Sequence, residues 1–167
     1  MASEAVSPDD LDPEAELTEL EFSIFGYVSR PRAEVYEAVA DPLVLSKYFT
    51  TGGAEGRLET GVTVQWDFAD FPGAFPVEVL EADGSTRIVV RWGGEPYATV
   101  GAAHTDVTFE FQAEGDCTKV VISERAWRLN RAGAQGAFGN CMGWTGMLAA
   151  MKAWLEYGIN LREGFYR

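Results

Sequence analysis

The chain has 167 residues, 47% hydrophobic and 23% charged, with 13 Lys and Arg against 26 Asp and Glu and a single His. That length suits one domain able to bury roughly 70% of its unfolded surface, and an aromatic content of 13% excludes a disordered chain. A net charge of −13 argues against nucleic acid and against anionic membrane surfaces as partners, because phosphates are held by Lys and Arg clusters that this sequence lacks.

The acid is concentrated at one end. Glu4, Asp9, Asp10, Asp12, Glu14, Glu16, Glu19 and Glu21 all precede the first basic residue, Arg30, and carry −8 of the net −13. Residues 1–18 therefore read as a solvated acidic tail, with Asp12-Pro13-Glu14 offering a cap for a short helix, and residues 19–167 as one domain. No basic-then-apolar segment opens the chain and no run of 18 apolar residues occurs, so the expectation is a cytoplasmic protein with no membrane span. Cys117 lies in a turn-like Gly-Asp-Cys-Thr and Cys141 in a helical pattern, which does not suggest a bridge. With His104 alone, no His/Cys metal cluster can form, and neither phosphate-loop nor dinucleotide glycine spacing is present. No metal and no cofactor is expected.

In chain order, Leu20, Phe22, Ile24 and Gly26 alternate with Glu21, Ser23 and Phe25, a strand ending near Val28. Ser29-Arg30-Pro31 breaks it and opens a short helix from Arg32 to Ala40, with Val35, Tyr36 and Val39 on one side. Asp41-Pro42 stops that helix and starts a second through Tyr48. After the turn glycines Gly52, Gly53 and Gly56 come five β-type segments: Val62–Phe68, Ala74–Glu81, Thr86–Trp92, His104–Ala113 and Thr118–Trp127. Their alternation gathers Val64, Trp66, Phe68, Phe75, Val77, Ile88, Val90, Trp92, Phe109, Phe111, Val120 and Ile122 on one face and charged or hydroxyl residues on the other. A sheet with one wet and one aromatic-rich face is antiparallel, and its dry face needs a cover.

The cover is the last long segment, about Gly136 to Tyr157. Ala137, Cys141, Trp144, Leu148, Met151 and Leu155 form a bulky apolar stripe at helical spacing, and Gly139, Gly143, Gly146, Ala150 and Ala153 form a small-residue stripe opposite. Interior glycines each cost roughly 0.5–1 kcal/mol, so three of them need a reason. Either the small side packs closely against the two short helices, or the missing side chains leave room for a ligand.

The order of strand, two short helices, curved meander and long C-terminal helix resembles the α+β helix-grip fold of the START-like (SRPBCC) superfamily, a curved antiparallel sheet wrapped around that helix. Within it the chain is similar to the branch named after the activator of Hsp90 ATPase. The residues that carry the likeness are Ser29–Pro42 with Lys47-Tyr48-Phe49, His104–Phe111, Gly115–Val120, and Gly143-Trp144 with Leu148, Met151, Lys152, Leu155 and Glu156, together spanning about 20–158. Tyr48 stands where that family more often has Trp, and Glu124 where a His is frequent. The eukaryotic-type activator carries an additional domain, so the resemblance does not by itself imply regulation of a chaperone ATPase.

Glu124 is the candidate of most interest, since strand parity turns it inward with Val120 and Ile122. An inward carboxylate is either a strand-end group that reaches solvent or pairs with Arg128, or a pocket acid. His104 shares parity with Asp106 on the wet face, which suggests a solvated His–Asp pair, and no Ser or Cys nucleophile motif accompanies it. The fold resemblance implies a cavity between sheet and helix, with Trp66, Phe68, Phe75, Trp92, Phe109, Phe111, Glu124 and Trp144 as its ligand-binding residues. The leading expectation is binding of a small hydrophobic molecule there, without an assigned catalytic residue, and with a homodimer left open. The alternatives are a cyclase- or hydrolase-type enzyme using Glu124 as acid and base, and a chaperone-associated interaction protein using the acidic tail and the outer sheet face.

Overall fold

A computed structural model describes residues 12–93 and 104–167. The expected tail up to Leu11 lies outside the described residues; residues 12–18 are exposed. Asp12 organises a turn rather than a helix. Its Oδ1 accepts a hydrogen bond from the Glu14 amide at 2.9 Å and its carbonyl one from the Ala15 amide at 3.1 Å. With no apolar face to bury, so short a segment lacks the packing that sustains a helix.

Ten elements follow among the described residues: β1 (Leu20–Val28), α1 (Arg32–Ala40), α2 (Pro42–Tyr48), β2 (Gly53–Glu55), β3 (Thr63–Phe68), β4 (Phe71–Ala82), β5 (Arg87–Gly93), β6 (His104–Glu114), β7 (Cys117–Trp127) and α3 (Arg131–Tyr157). The strands form one antiparallel sheet in the order β1-β7-β6-β5-β4-β3-β2, which places the first strand beside the last. Register shifts between Leu20 and Phe22, Trp66 and Phe68, and Val79 and Glu81 bend the sheet. Its concave face holds the core: Val64, Trp66, Val77, Val79, Ile88, Val90, Val107, Phe109, Phe111, Val120 and Ile122 are all buried. Nine of these, all but Val79 and Val107, are among the residues whose alternation marked the dry face; Phe68, Phe75 and Trp92 of that face are only partly buried. The arrangement is the α+β helix-grip fold, with α3 as the gripped helix. No helix among the described residues is long and apolar enough to cross a membrane.

Local chemistry explains the boundaries. Asp41 closes α1 and caps α2, its Oδ1 accepting from the Leu43 amide at 2.9 Å, with Pro42 at the first helical position. Asn130 caps α3 through Gly133 at 2.8 Å, and Gly158 ends it in the left-handed conformation at φ 67°. Besides the Asp12 turn and the extension of β4 back to Phe71 from the expected Ala74, two features depart from the sequence reading. Helix α3 starts at Arg131, not near Gly136, because the Asn130 cap nucleates a turn whose glycines and alanines carry no apolar period. Gly133 allows that turn to cross the chain: a Cβ there would sit 1.8 Å from the Arg128 carbonyl oxygen. The second feature is β2. Its Gly-rich sequence reads as a turn, but pairing of Gly53–Glu55 with Gln65–Asp67 draws it into the sheet as a seventh strand.

Candidate functional site

Four side chains from three elements converge on Glu124 of β7. Trp92 on β5 and Thr105 on β6 are cross-strand partners, so both reach the same spot on the concave face. Asn140 and Trp144 lie four residues apart on α3 and therefore on one face of it. Among the described residues Glu124 accepts five hydrogen bonds. Its Oε1 receives Trp92 Nε1 at 2.9 Å, Thr105 Oγ1 at 2.6 Å and Asn140 Nδ2 at 3.1 Å. Its Oε2 receives Asn140 Nδ2 at 3.0 Å and Trp144 Nε1 at 2.7 Å. The carboxyl is 0% exposed and every one of these donors is uncharged. Glu124 does not reach solvent as a strand-end residue would.

Donor chemistry explains why a carboxylate sits here. Indole and primary-amide N–H groups donate only, and an ionised carboxyl accepts on both oxygens. Five short bonds replace the hydration shell that burial removes. Around this centre the Trp144 ring packs at 5.4 Å against Phe49, at 5.2 Å against Trp92 and edge-on at 5.4 Å against Phe109. Such aromatic contacts hold the two indole nitrogens in place.

Two hollows flank the centre. A cleft of about 740 Å³ is lined by Phe75, Trp92, Trp127, Gly139 and Asn140, with Thr63, Glu78, Arg91, His104 and Gln135 adding polar groups. A smaller cavity of about 340 Å³ is lined by Phe49, Phe68, Phe71, Met142, Gly143, Trp144, Arg162 and Tyr166. They meet at a shared wall made of Trp92, Gly139 and Asn140. Among the described residues a Cβ added to Gly139 or Gly143 would touch nothing within 4 Å, whereas one on Gly146 would meet the Tyr166 hydroxyl at 2.7 Å. The small-residue stripe thus divides: its first two glycines open onto the hollows, and its third admits the C-terminal segment.

Of the eight residues expected to line a site, Phe75 and Trp92 line the cleft, and Phe68, Trp92 and Trp144 line the cavity. Trp66, Phe109 and Phe111 lie behind them, almost fully buried; Trp66 packs edge-on against Phe49 and Trp92, and Phe111 against Tyr36. Glu124 stands behind the wall, bonded to it. The expected His104–Asp106 pair is replaced by another: Arg91 Nε and Nη2 donate to the two Asp106 oxygens at 2.7 and 3.0 Å, across the β5–β6 register that sets these residues opposite. His104 instead lines the cleft.

Sequence reading missed the far wall of the smaller cavity. Arg162, only 7% exposed, donates through Nη1 and Nη2 to both Asp70 oxygens at 2.6 and 2.8 Å and lies over the Phe68 and Tyr166 rings at 5.7 and 4.9 Å. The hydrogen bond from Arg162 holds the Asp70 carboxyl below its ordinary range. Nothing in a charged residue near a chain end signals such a pairing 92 positions away; only the two-residue Ala69-Asp70 hairpin and the returning chain bring the groups together.

Comparison with known proteins adds a family and a set of structural likenesses. The family model described as Activator of Hsp90 ATPase homolog 1-like protein matches residues 29–156. No curated protein matches the chain. Among solved structures, a protein of Staphylococcus saprophyticus aligns with TM-score 0.72 at 21% identity, covering 86% of this chain and 96% of that one. DynU16, from the dynemicin biosynthetic locus, aligns with TM-score 0.70 at 23% identity over 85% of this chain but 49% of its own. The Aha1 dimer of Colwellia psychrerythraea aligns with TM-score 0.67 at 17% identity over 83% of this chain and 98% of that one. At these identities the likeness is one of fold.

Proposed function

The chain belongs to the family of Activator of Hsp90 ATPase homolog 1-like proteins, and we propose that within that fold it binds a small, largely apolar molecule between sheet and α3. The observation that carries the reading is the pair of adjoining hollows opened by Gly139 and Gly143. Glycines cost helix stability, and here two of them leave space beside aromatic rings in place of contacts. Trp92, Phe75, Phe68 and Trp144 supply the apolar surface, and the polar groups cluster toward Arg91 and His104.

Glu124 supports binding over turnover. A carboxylate that already accepts five hydrogen bonds and is fully buried has no free lone pair for a substrate proton. Its work is to hold the wall. The experiment is a cavity-filling substitution, Gly143→Leu. The parent should show an upward thermal shift with naphthalene-sized ligands; the variant should keep or raise the melting temperature, because Leu is the better helix former, and lose that shift. Equal ligand-induced shifts in both proteins would place binding elsewhere.

A homodimer is the second reading. It is favoured by the apolar side chains exposed at the rim of the smaller cavity, Phe71 and Met142, with Phe138 one turn before Met142 on α3, and by the dimeric state of one fold neighbour. Sedimentation of the parent against Phe138→Lys, with the parent alone dimeric, is the result it requires.

A further inference from the structure

The wall between the two hollows has a chemical polarity. Asn140 gives its Nδ2 to both oxygens of Glu124, at 3.1 and 3.0 Å. An acceptor-only carboxylate beside two donor-only indoles dictates which end of the amide faces inward. Turning the amide over would set Oδ1 against two carboxylate oxygens, a repulsion with no compensating bond. The planar amide therefore carries Oδ1 away from Glu124. Asn140 lines both the cleft and the cavity, and Oδ1 has no hydrogen-bond partner among the described residues. The apolar surface around it is Trp92 and Gly139 on the shared wall, Phe75 on one side, Gly143 and Met142 on the other; Arg91, His104 and Gln135 also line the cleft, and Arg162 and Tyr166 the cavity.

We infer that the ligand of this site is an apolar, aromatic-sized molecule carrying a hydrogen-bond-donating hydroxyl, which is received by Asn140 Oδ1. This rests on the binding reading above and adds the ligand's polar group and its recognition. Glu124 is a positioning residue: by drawing Nδ2 inward it turns Asn140 Oδ1 outward, so that an acceptor is what the ligand meets there. Trp92 and Trp144, through the same carboxylate, keep that orientation from relaxing. A molecule that offers only an ether or carbonyl oxygen at this point faces another acceptor and leaves Oδ1 unsatisfied.

The test compares 2-naphthol with 2-methoxynaphthalene, which share a ring system and differ in having or lacking the O–H donor. Binding to the full chain is measured by calorimetric titration at neutral pH. The parent should bind the naphthol roughly 3–10-fold more tightly, the range of a net neutral hydrogen bond. In Asn140→Leu the ratio should fall to about one while the affinity for the methyl ether stays within about twofold. A purely structural role for Asn140 would weaken both ligands alike and leave the ratio unchanged. Equal affinities in the parent, or a ratio that survives in Asn140→Leu, would overturn the hydroxyl assignment and leave apolar binding standing. If neither compound binds the parent, the binding reading fails and the assignment with it.

Discussion

Replacing Glu124 by Gln exchanges one carboxylate oxygen for an NH₂ group and tests the whole buried network. The carboxylate accepts at both ends: Trp92, Thr105 and Asn140 on Oε1, Asn140 and Trp144 on Oε2. Gln keeps one acceptor and puts an NH₂ group at the other. If the NH₂ takes the Oε2 position it faces Trp144 Nε1, now 2.7 Å from an acceptor; at the Oε1 position it faces Trp92 Nε1, now at 2.9 Å. Thr105 can rotate its hydroxyl to accept, but an indole cannot. At least one buried indole N–H is therefore orphaned, at a cost of about 1–3 kcal/mol, and the surviving bonds lose the strength that charge confers. Removing a buried charge works the other way, yet four donor side chains already stand in for its hydration shell, so little is recovered. The net expectation is a loss of roughly 2–4 kcal/mol. Urea unfolding at neutral pH, followed by tryptophan fluorescence, measures it; with an m-value of about 1–3 kcal/mol/M the midpoint should fall by about 1–2 M at constant slope. A Gln variant within about 0.5 kcal/mol of the parent, or more stable than it, would refute the claim that these four side chains hold a carboxylate.

Trp144→Ala should cost roughly 3–5 kcal/mol, because it empties a site packed by Phe49, Trp92 and Phe109; a loss below about 1 kcal/mol would mean that α3 does not seat this ring in the core. Burial pushes the Glu156 carboxyl up, but hydrogen bonds from Lys152 and Ser29 outweigh it and hold the group at about 2, against an ordinary value of 4.5. That stability is present above the unfolded value and is lost as pH falls through the folded one. Glu156→Gln should thus be less stable than the parent near neutral pH, and the two unfolding curves should converge as pH approaches 2; a constant gap down to that pH would contradict the assignment. Asp70→Asn leaves Arg162 buried without its carboxylate. Because the partner sits on the terminal segment, the cheapest response is release of that segment, capping the global cost. Limited proteolysis should cut residues 159–167 faster in the variant while the rest stays protected, and unchanged cleavage would show that the ion pair does not hold the segment.

The antiparallel sheet, its dry face, both short helices and the covering helix are legible in the chain's local patterns, because each depends on a local period or stop signal. Alternation from Val64 to Ile122 fixed which side chains are buried, and Asp41-Pro42 fixed the break between α1 and α2. The same parity turned Glu124 inward. Tertiary structure decided what Glu124 meets. Its donors come from β5, β6 and α3, separated from it by 32, 19, 16 and 20 residues, and no local pattern encodes which strands and helix turns become neighbours. It also decided the fate of the glycine stripe: the same residue type opens a hollow at Gly139 and Gly143 and receives Tyr166 at Gly146. Strand β2 and the Arg162–Asp70 pair belong with these, because both exist only through partners distant along the chain. Local periodicity sets which way a side chain points; the bend of the sheet and the path of the returning chain set what it finds there.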